Sequence, residues 1–322
     1  MFGIERTSGF MVRCATVVCF AVMLALPQRT AAQSRFSGVV VFGTSLSDPG
    51  NAFALVGDAG TPPDFTLNAL LVPAAPYAIG GHHFTNGATW IEQFAVWQGL
   101  SSSVRPAFSD PNATNYAVGA ARAYDDGVNV NLTRQVDTFL QRSGNIASVQ
   151  ALYVMEMGSN DIRDAFAVYA SGGDGAPILT QAIASIAANI QRLYAAGARE
   201  FLVWAAPDVS RTPAIRSLPP AAQGLAAFLT QQFNANLDAV LAQLLANLPG
   251  SSFARLDAYA LLNAIVADPR SFDLARVTEA CLTPNAAPFI CKEADTFLFW
   301  DGIHPTKAGH AILADAAAKA VQ

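Results

Sequence analysis

Apolar residues in this chain fall into runs of two lengths. Gly38–Phe42 is a short continuous stretch rich in β-branched residues, with polar and glycine-containing flanks. Such a run reads as a strand buried on both faces, as in parallel sheets. Residues 151–157, closed by Gly158, and residues 201–205, followed by Pro207, repeat the pattern; 115–118 and 253–256 are weaker versions. Between these five candidate strands lie longer amphipathic segments at 90–98, 178–196, 221–248 and 307–321 that read as helices. Gly197 follows the second of them, where a helix-ending glycine belongs. Strands alternating with helices predict an α/β fold around a mostly parallel sheet. Residues 49–89 show no period and hold several Pro and Gly. They read as a binding loop or lid, or equally as plain surface loop.

The first residues follow a different pattern. Arg6 and Arg13 precede an uncharged run at 14–26, then Pro27 and the small residues Thr30, Ala31 and Ala32. A basic start, a short apolar core and a small-x-small site predict a signal peptide over 1–32, with Met11 as an alternative start. The run is shorter than the roughly 20 residues of a transmembrane helix. The expected mature protein is a single domain over 33–322, secreted to the periplasm or the extracellular space, with no integral membrane segment. The chain ends soon after its last helical segment, so no translocating β-barrel is expected within it.

Composition adds little until that leader is removed. With 52% hydrophobic and 13% charged residues, the 322-residue chain can bury a large core. Loss of residues 1–32 takes away three arginines and one glutamate, which leaves 16 basic and 23 acidic residues and a formal charge of −7. That balance argues against nucleic acid as a partner. Cys14 and Cys19 go with the leader, and Cys281 and Cys291 remain. In an oxidising compartment, two cysteines ten residues apart can bridge a loop.

Ligands gather beyond the carboxyl ends of strands in an open parallel sheet. Ser45 directly follows the first strand, on a turn into the next element, and Asn160 follows the strand at 151–157. An Asn amide there can donate to a developing oxyanion. Asp301 and His304 stand three apart before the last helix, and Pro305 disfavours a helical conformation at His304. One turn can therefore set a carboxylate against an imidazole. Each feature alone also fits a helix cap or a surface turn. Together they supply a nucleophile, a base with its orienting acid, and an oxyanion donor, which is what acyl transfer requires.

These residues lie in blocks that resemble the SGNH, or GDSL-type, hydrolase family. Residues 43–51 (GTSLSDPGN) resemble the Gly-Asp-Ser-Leu opening, 115–121 (NYAVGAA) the glycine block, 158–161 (GSND) the Gly-x-Asn-Asp block, and 301–305 (DGIHP) the Asp-x-x-His-Pro block. Residues 85–92 and 233–237 are similar to the longer members, which include plant-type lipases, lecithinase/haemolysin-like enzymes and autotransporter esterases. The blocks run from residue 39 to about 315. The resemblance implies a flavodoxin-like three-layer α/β/α sandwich with a mostly parallel five-stranded sheet. It implies a secreted esterase or lipase with Ser45 attacking, His304 as base and Asp301 orienting it. The implied oxyanion hole comprises the backbone N–H groups of Ser45 and Gly119 and the Asn160 side chain. It also implies ester or lipid substrates, no metal or cofactor, and a disulfide ahead of the final block, which suits Cys281 and Cys291. Thr44 departs from the family pattern, which usually has Asp there. That Asp is not a triad member, and Thr can still hydrogen-bond locally.

Other readings are weaker. An α/β-hydrolase elbow needs Gly-x-Ser-x-Gly, and Ser47 occupies its last position. His82 and His83 lack a third ligand at zinc-site spacing. Acyl transfer to an alcohol would use the same acyl-enzyme. A catalytically silent lipid- or glycan-binding protein would not need the Ser45, Gly119, Asn160, Asp301 and His304 set. Asn112 and Asn131 begin glycosylation sequons, relevant only in a eukaryotic secretory pathway.

Overall fold

The computed structural model describes residues 1–3 and 34–322; the leader expected over 1–32 otherwise falls outside the described residues. The described residues from 34 to 322 pack into one unit. Its centre is a parallel sheet of four strands in the order β1 (Gly38–Phe42), β2 (Ala151–Met155), β3 (Glu200–Ala205) and β4 (Ser252–Asp257). The register aligns Val40 with Tyr153, Tyr153 with Phe201 and Phe201 with Phe253.

Because side chains alternate across a strand, each strand feeds two cores. Val40, Phe42, Tyr153, Met155, Phe201 and Val203 face one side, under α3 (Leu132–Arg142), α4 (Ser159–Ala170), α5 (Ala176–Ala196) and α7 (Pro220–Asn247), with Ile215 of the short α6 (Pro213–Arg216) in the same core. An aromatic row, Tyr153 to Phe201 at 5.9 Å and Phe201 to Phe253 at 5.0 Å, crosses three strands on this face. Val39, Val41, Leu152, Val154, Leu202 and Trp204 face the other side, under α2 (Trp90–Trp97) and α9 (Lys307–Ala320). Helices on both faces make a three-layer α/β/α arrangement. The helices form where an apolar stripe recurs every three or four residues: α5 buries Leu179, Ile183, Ile186, Ile190 and Leu193. Each such side chain contributes about 1.5–3 kcal/mol when fully buried.

The expected fifth strand is a correction. The segment near Asn115 joins the edge of β1 as a single parallel bridge, Val41 with Asn115. The Thr114 N–H donates to Ser103 O, and its hydroxyl meets the Val39 carbonyl at 2.6 Å in place of a backbone donor. On the outer side, Asn51 Nδ2 donates to the carbonyls of Asn115 and Ala117, both at 2.8 Å. Backbone bonds still tie this segment to β1, Val41 N–H to Thr114 O, Tyr116 N–H to Val41 O and Val118 N–H to Gly43 O, and the side chains of Thr114 and Asn51 occupy the carbonyls beside them.

A second, two-stranded parallel sheet pairs β5 (Arg276–Ala280) with β6 (Phe297–Phe299). The Cys281–Cys291 disulfide lies just past β5. Cys281 and Leu282 donate backbone bonds to Phe299 and Trp300, and share a small core with Phe65, Tyr77 and Trp300. Residues 49–89 carry α1 (Asn51–Val56) followed by turns, and they are not plain surface: Phe65 and Tyr77 are fully buried.

Candidate active site

β1 ends at Phe42, and the chain turns so that Ser47 N–H returns to Thr44 O. The turn is held from β2: Glu156, the residue after that strand, accepts the Thr44 N–H at 2.8 Å and the Thr44 hydroxyl at 3.0 Å. At the position where the family usually has an Asp, Thr44 is thus hydrogen-bonded to a carboxylate supplied by the neighbouring strand. Burial pushes Glu156 up to about 7. Gln135 of α3 brackets Gly43, accepting its N–H and donating to its carbonyl, both at 2.9 Å.

The second half of the site follows β6. Asp301 Oδ1 accepts the backbone N–H groups of Ile303 and His304 at 2.8 and 2.7 Å, which closes the turn. Gly302 is required there, because a Cβ would sit 2.0 Å from Leu70 O; its N–H donates to Leu71 O. Immediately afterwards Thr306 caps α9, its Oγ1 accepting from Gly309 N at 3.1 Å.

The two halves meet. Ser45 Oγ lies 2.8 Å from His304 Nε2, and His304 Nδ1 lies 2.6 Å from Asp301 Oδ2. With Nδ1 bonded to a carboxylate, Nε2 is left to accept the serine proton. All three side chains are buried, Ser45 at 8% exposure.

Asn160 begins α4 beside them, its Nδ2 donating to Ala121 O at 2.8 Å and its Oδ1 accepting from Arg163 Nη1 at 2.9 Å. An amide nitrogen carries two hydrogens, so one remains for a ligand. Gly119 lies at the same cleft, but its N–H donates to Asp48 Oδ2 at 2.7 Å. Its glycine identity has a steric cause: a Cβ would meet the Phe84 ring at 2.2 Å. Phe84 in turn lies 5.4 Å from the His304 ring.

Sequence reasoning missed Tyr77, Phe84, Arg163 and Glu156. Tyr77 OH donates to Asp301 Oδ2 at 2.6 Å, and burial together with that carboxylate raises the phenol, which keeps its proton. Tyr77 and Phe84 lie in the aperiodic segment, where no signal marks them. Glu156 did leave one, an acid within an otherwise apolar strand pattern.

The remaining histidines stand apart from this chemistry. His82 stacks on Phe53, and His83 bonds Gly80 O and Glu92. His310 Nδ1 accepts from Trp90 N–H, and burial pushes the ring down to about 3, so it stays neutral. Among the described residues no cluster of three or more His, Cys, Asp or Glu is arranged to hold a metal ion.

Two cavities join at Ser45, Asn160 and His304. One, of about 250 Å³, has Leu70, Val72, Phe166, Val209 and Ile215 in its walls. The other, of about 500 Å³, is bordered by Gly119, Asn129 and three arginines. No described helix is long and apolar enough to cross a membrane.

A family model described as GDSL-like Lipase/Acylhydrolase matches residues 39–317. A GDSL esterase/lipase of Arabidopsis thaliana is 24% identical over 340 residues, covering 91% of this chain and 94% of the relative. A second from the same plant is 25% identical over 322 residues, covering 89% and 90%. Esterase EstA of Pseudomonas aeruginosa is 28% identical over 347 residues, covering 95% of this chain and 50% of the relative.

Proposed function

The chain belongs to the GDSL-like lipase/acylhydrolase family and is a carboxylic ester hydrolase, and from that premise we propose that it works through an acyl-enzyme on Ser45. The observation that carries this reading is the unbroken relay from Ser45 Oγ through His304 to Asp301, with links of 2.8 and 2.6 Å.

Ser45 Oγ attacks the ester carbonyl while its proton passes to His304 Nε2. Asp301 stabilises the imidazolium so formed and holds the ring in place. The oxyanion accepts from the Ser45 N–H and the free hydrogen of Asn160 Nδ2. Gly119 joins them only when its bond to Asp48 yields. Collapse of the tetrahedral species breaks the carbon–oxygen bond to the alcohol, which leaves with the His304 proton. Water then gives a proton to His304 as its oxygen adds to the acyl carbon. Release of the acid returns the proton to Ser45.

Export is part of the same proposal. The leader pattern over residues 1–32 and the Cys281–Cys291 disulfide both support a secreted enzyme.

Turnover of p-nitrophenyl esters by the wild type and by Ser45→Ala tests the mechanism. Loss of at least about 10³-fold in kcat is expected for the variant. Equal rates in the two proteins would remove Ser45 from the mechanism.

A further inference from the structure

Arg163 lies on α4 one turn beyond Asn160, in the wall shared by both cavities. Its sequence neighbour Asp164 and the more distant Asp301 act on it only through space, because Asp164 is engaged elsewhere. Arg122 takes Asp164 with Nε at 2.8 Å and Nη2 at 3.0 Å, and the Tyr124 hydroxyl adds a bond at 2.9 Å. Among the described residues Arg163 forms no ion pair within 4 Å, and its hydrogen bond runs from Nη1 to Asn160 Oδ1. A guanidinium carries five N–H donors in a planar fork, so most of this one is unused. Burial draws the group below the usual arginine range, which is where a counter-charge has most effect.

The two cavities differ in charge rather than in apolar character. The smaller offers Leu46, Leu70, Val72, Phe166 and Ile215 to an acyl chain, and its one arginine, Arg163, is matched there by one carboxylate, Asp164. The larger is bordered by Arg122, Arg134 and Arg163, with Asp58 as the single carboxylate lining it. Arg122 is engaged by Asp126 and Asp164, while Arg134 is exposed and, among the described residues, forms no ion pair.

We propose that the larger cavity binds an anionic group, a carboxylate or a phosphate, carried on the alcohol portion of the ester, with Arg163 as the recognising cation and the smaller cavity holding the acyl chain. A planar or tetrahedral oxyanion can take two parallel N–H bonds from the fork, which orients the ester as well as attracting it. The proposal rests on Ser45 being the nucleophile, because it is Ser45 that stands where the two cavities join.

The test compares butyrate esters of 4-hydroxybenzoate, of 4-hydroxyphenyl phosphate, and of neutral methyl 4-hydroxybenzoate. The readout is the ratio of kcat/KM for each anionic ester to that for the neutral one. Arg163→Gln is expected to lower the ratio at least about tenfold, mainly through KM, and Arg163→Lys to recover most of it. The two anionic arms decide between carboxylate and phosphate. If Arg163→Gln slows all three esters in proportion, Arg163 only orients Asn160 and the proposal falls.

Calorimetric binding of the inert ketone analogue of the benzoate ester, with methylene in place of the ester oxygen, separates the two claims. Binding that Arg163→Gln abolishes supports the anion site, even if no ester were turned over and the Ser45 reading failed. Equal affinity in wild type and variant, or no binding by the wild type, overturns the anion site.

Discussion

The Tyr77 hydroxyl donates a 2.6 Å hydrogen bond to Asp301 Oδ2, the same oxygen that meets His304 Nδ1. A residue from the irregular segment between α1 and α2 therefore fixes the carboxylate that fixes the imidazole. Both partners are fully buried. Tyr77→Phe leaves that oxygen one donor short, which costs about 1–3 kcal/mol. We expect a lower thermal midpoint and a fall in kcat of about tenfold, read by calorimetry and steady-state kinetics. Unchanged kcat would show that Asp301 is held well enough by its own turn.

Asn160→Ala removes the one side-chain donor assigned to the oxyanion. A loss of about 10²–10³-fold in kcat is expected, with KM little altered, because the bond strengthens mainly in the transition state. A change confined to KM would assign Asn160 to ground-state binding instead.

Glu156 gives a pH signature in stability. Burial raises it to about 7 in the folded state, from an ordinary 4.5. Between those values the folded protein keeps a proton that the unfolded chain has lost. Stability from this group is therefore full at acid pH and declines as pH rises through 4.5 to 7. Asp126, whose burial is overcome by hydrogen bonds from Asn129, Val128 and Asn131 that hold it well below its ordinary 3.8, acts only below that value and does not overlap this window. Glu156→Gln should raise the thermal midpoint at pH 8 relative to wild type, with a much smaller difference at pH 5. A gap of equal size at both values would mean that Glu156 does not titrate in this range.

Cys281 and Cys291 close a ten-residue loop. Loop-closure entropy attributes about 2–3 kcal/mol to such a bridge. Cys281→Ser with Cys291→Ser should lower stability to denaturant by that order. Since the loop leads into β6 and the Asp301 turn, activity should fail at a lower denaturant concentration too. Matching unfolding midpoints in variant and wild type would show that the bridge is dispensable.

Ser45, Asp301 and His304 were legible because each follows a short apolar strand or precedes a capped helix. Local sequence marks both kinds of place. The parallel sheet was legible for the same reason, since strands buried on both faces read as unbroken apolar runs. β5 was not, because Arg276, Thr278 and Glu279 give it the pattern of an exposed segment. α8 (Ala258–Ala267) hid for the opposite reason: Leu261, Leu262, Ile265 and Val266 leave too little polar contrast for a helical period to stand out. Tyr77 and Arg163 owe their roles to contacts across 224 positions and across a cleft wall, which no local pattern encodes. Gly119 shows the converse: its block was recognisable, but only the fold shows its N–H committed to Asp48.

The most direct trial of Ser45 as the nucleophile is to capture its oxygen on phosphorus. Incubation with a p-nitrophenyl alkylphosphonate, followed by peptide mass spectrometry, should find one equivalent of the phosphonyl group on the peptide containing Ser45. Release of p-nitrophenol should match it in amount, and Ser45→Ala should show neither. Stoichiometric labelling of another residue, or full labelling of Ser45→Ala, would contradict the assignment of Ser45 as nucleophile.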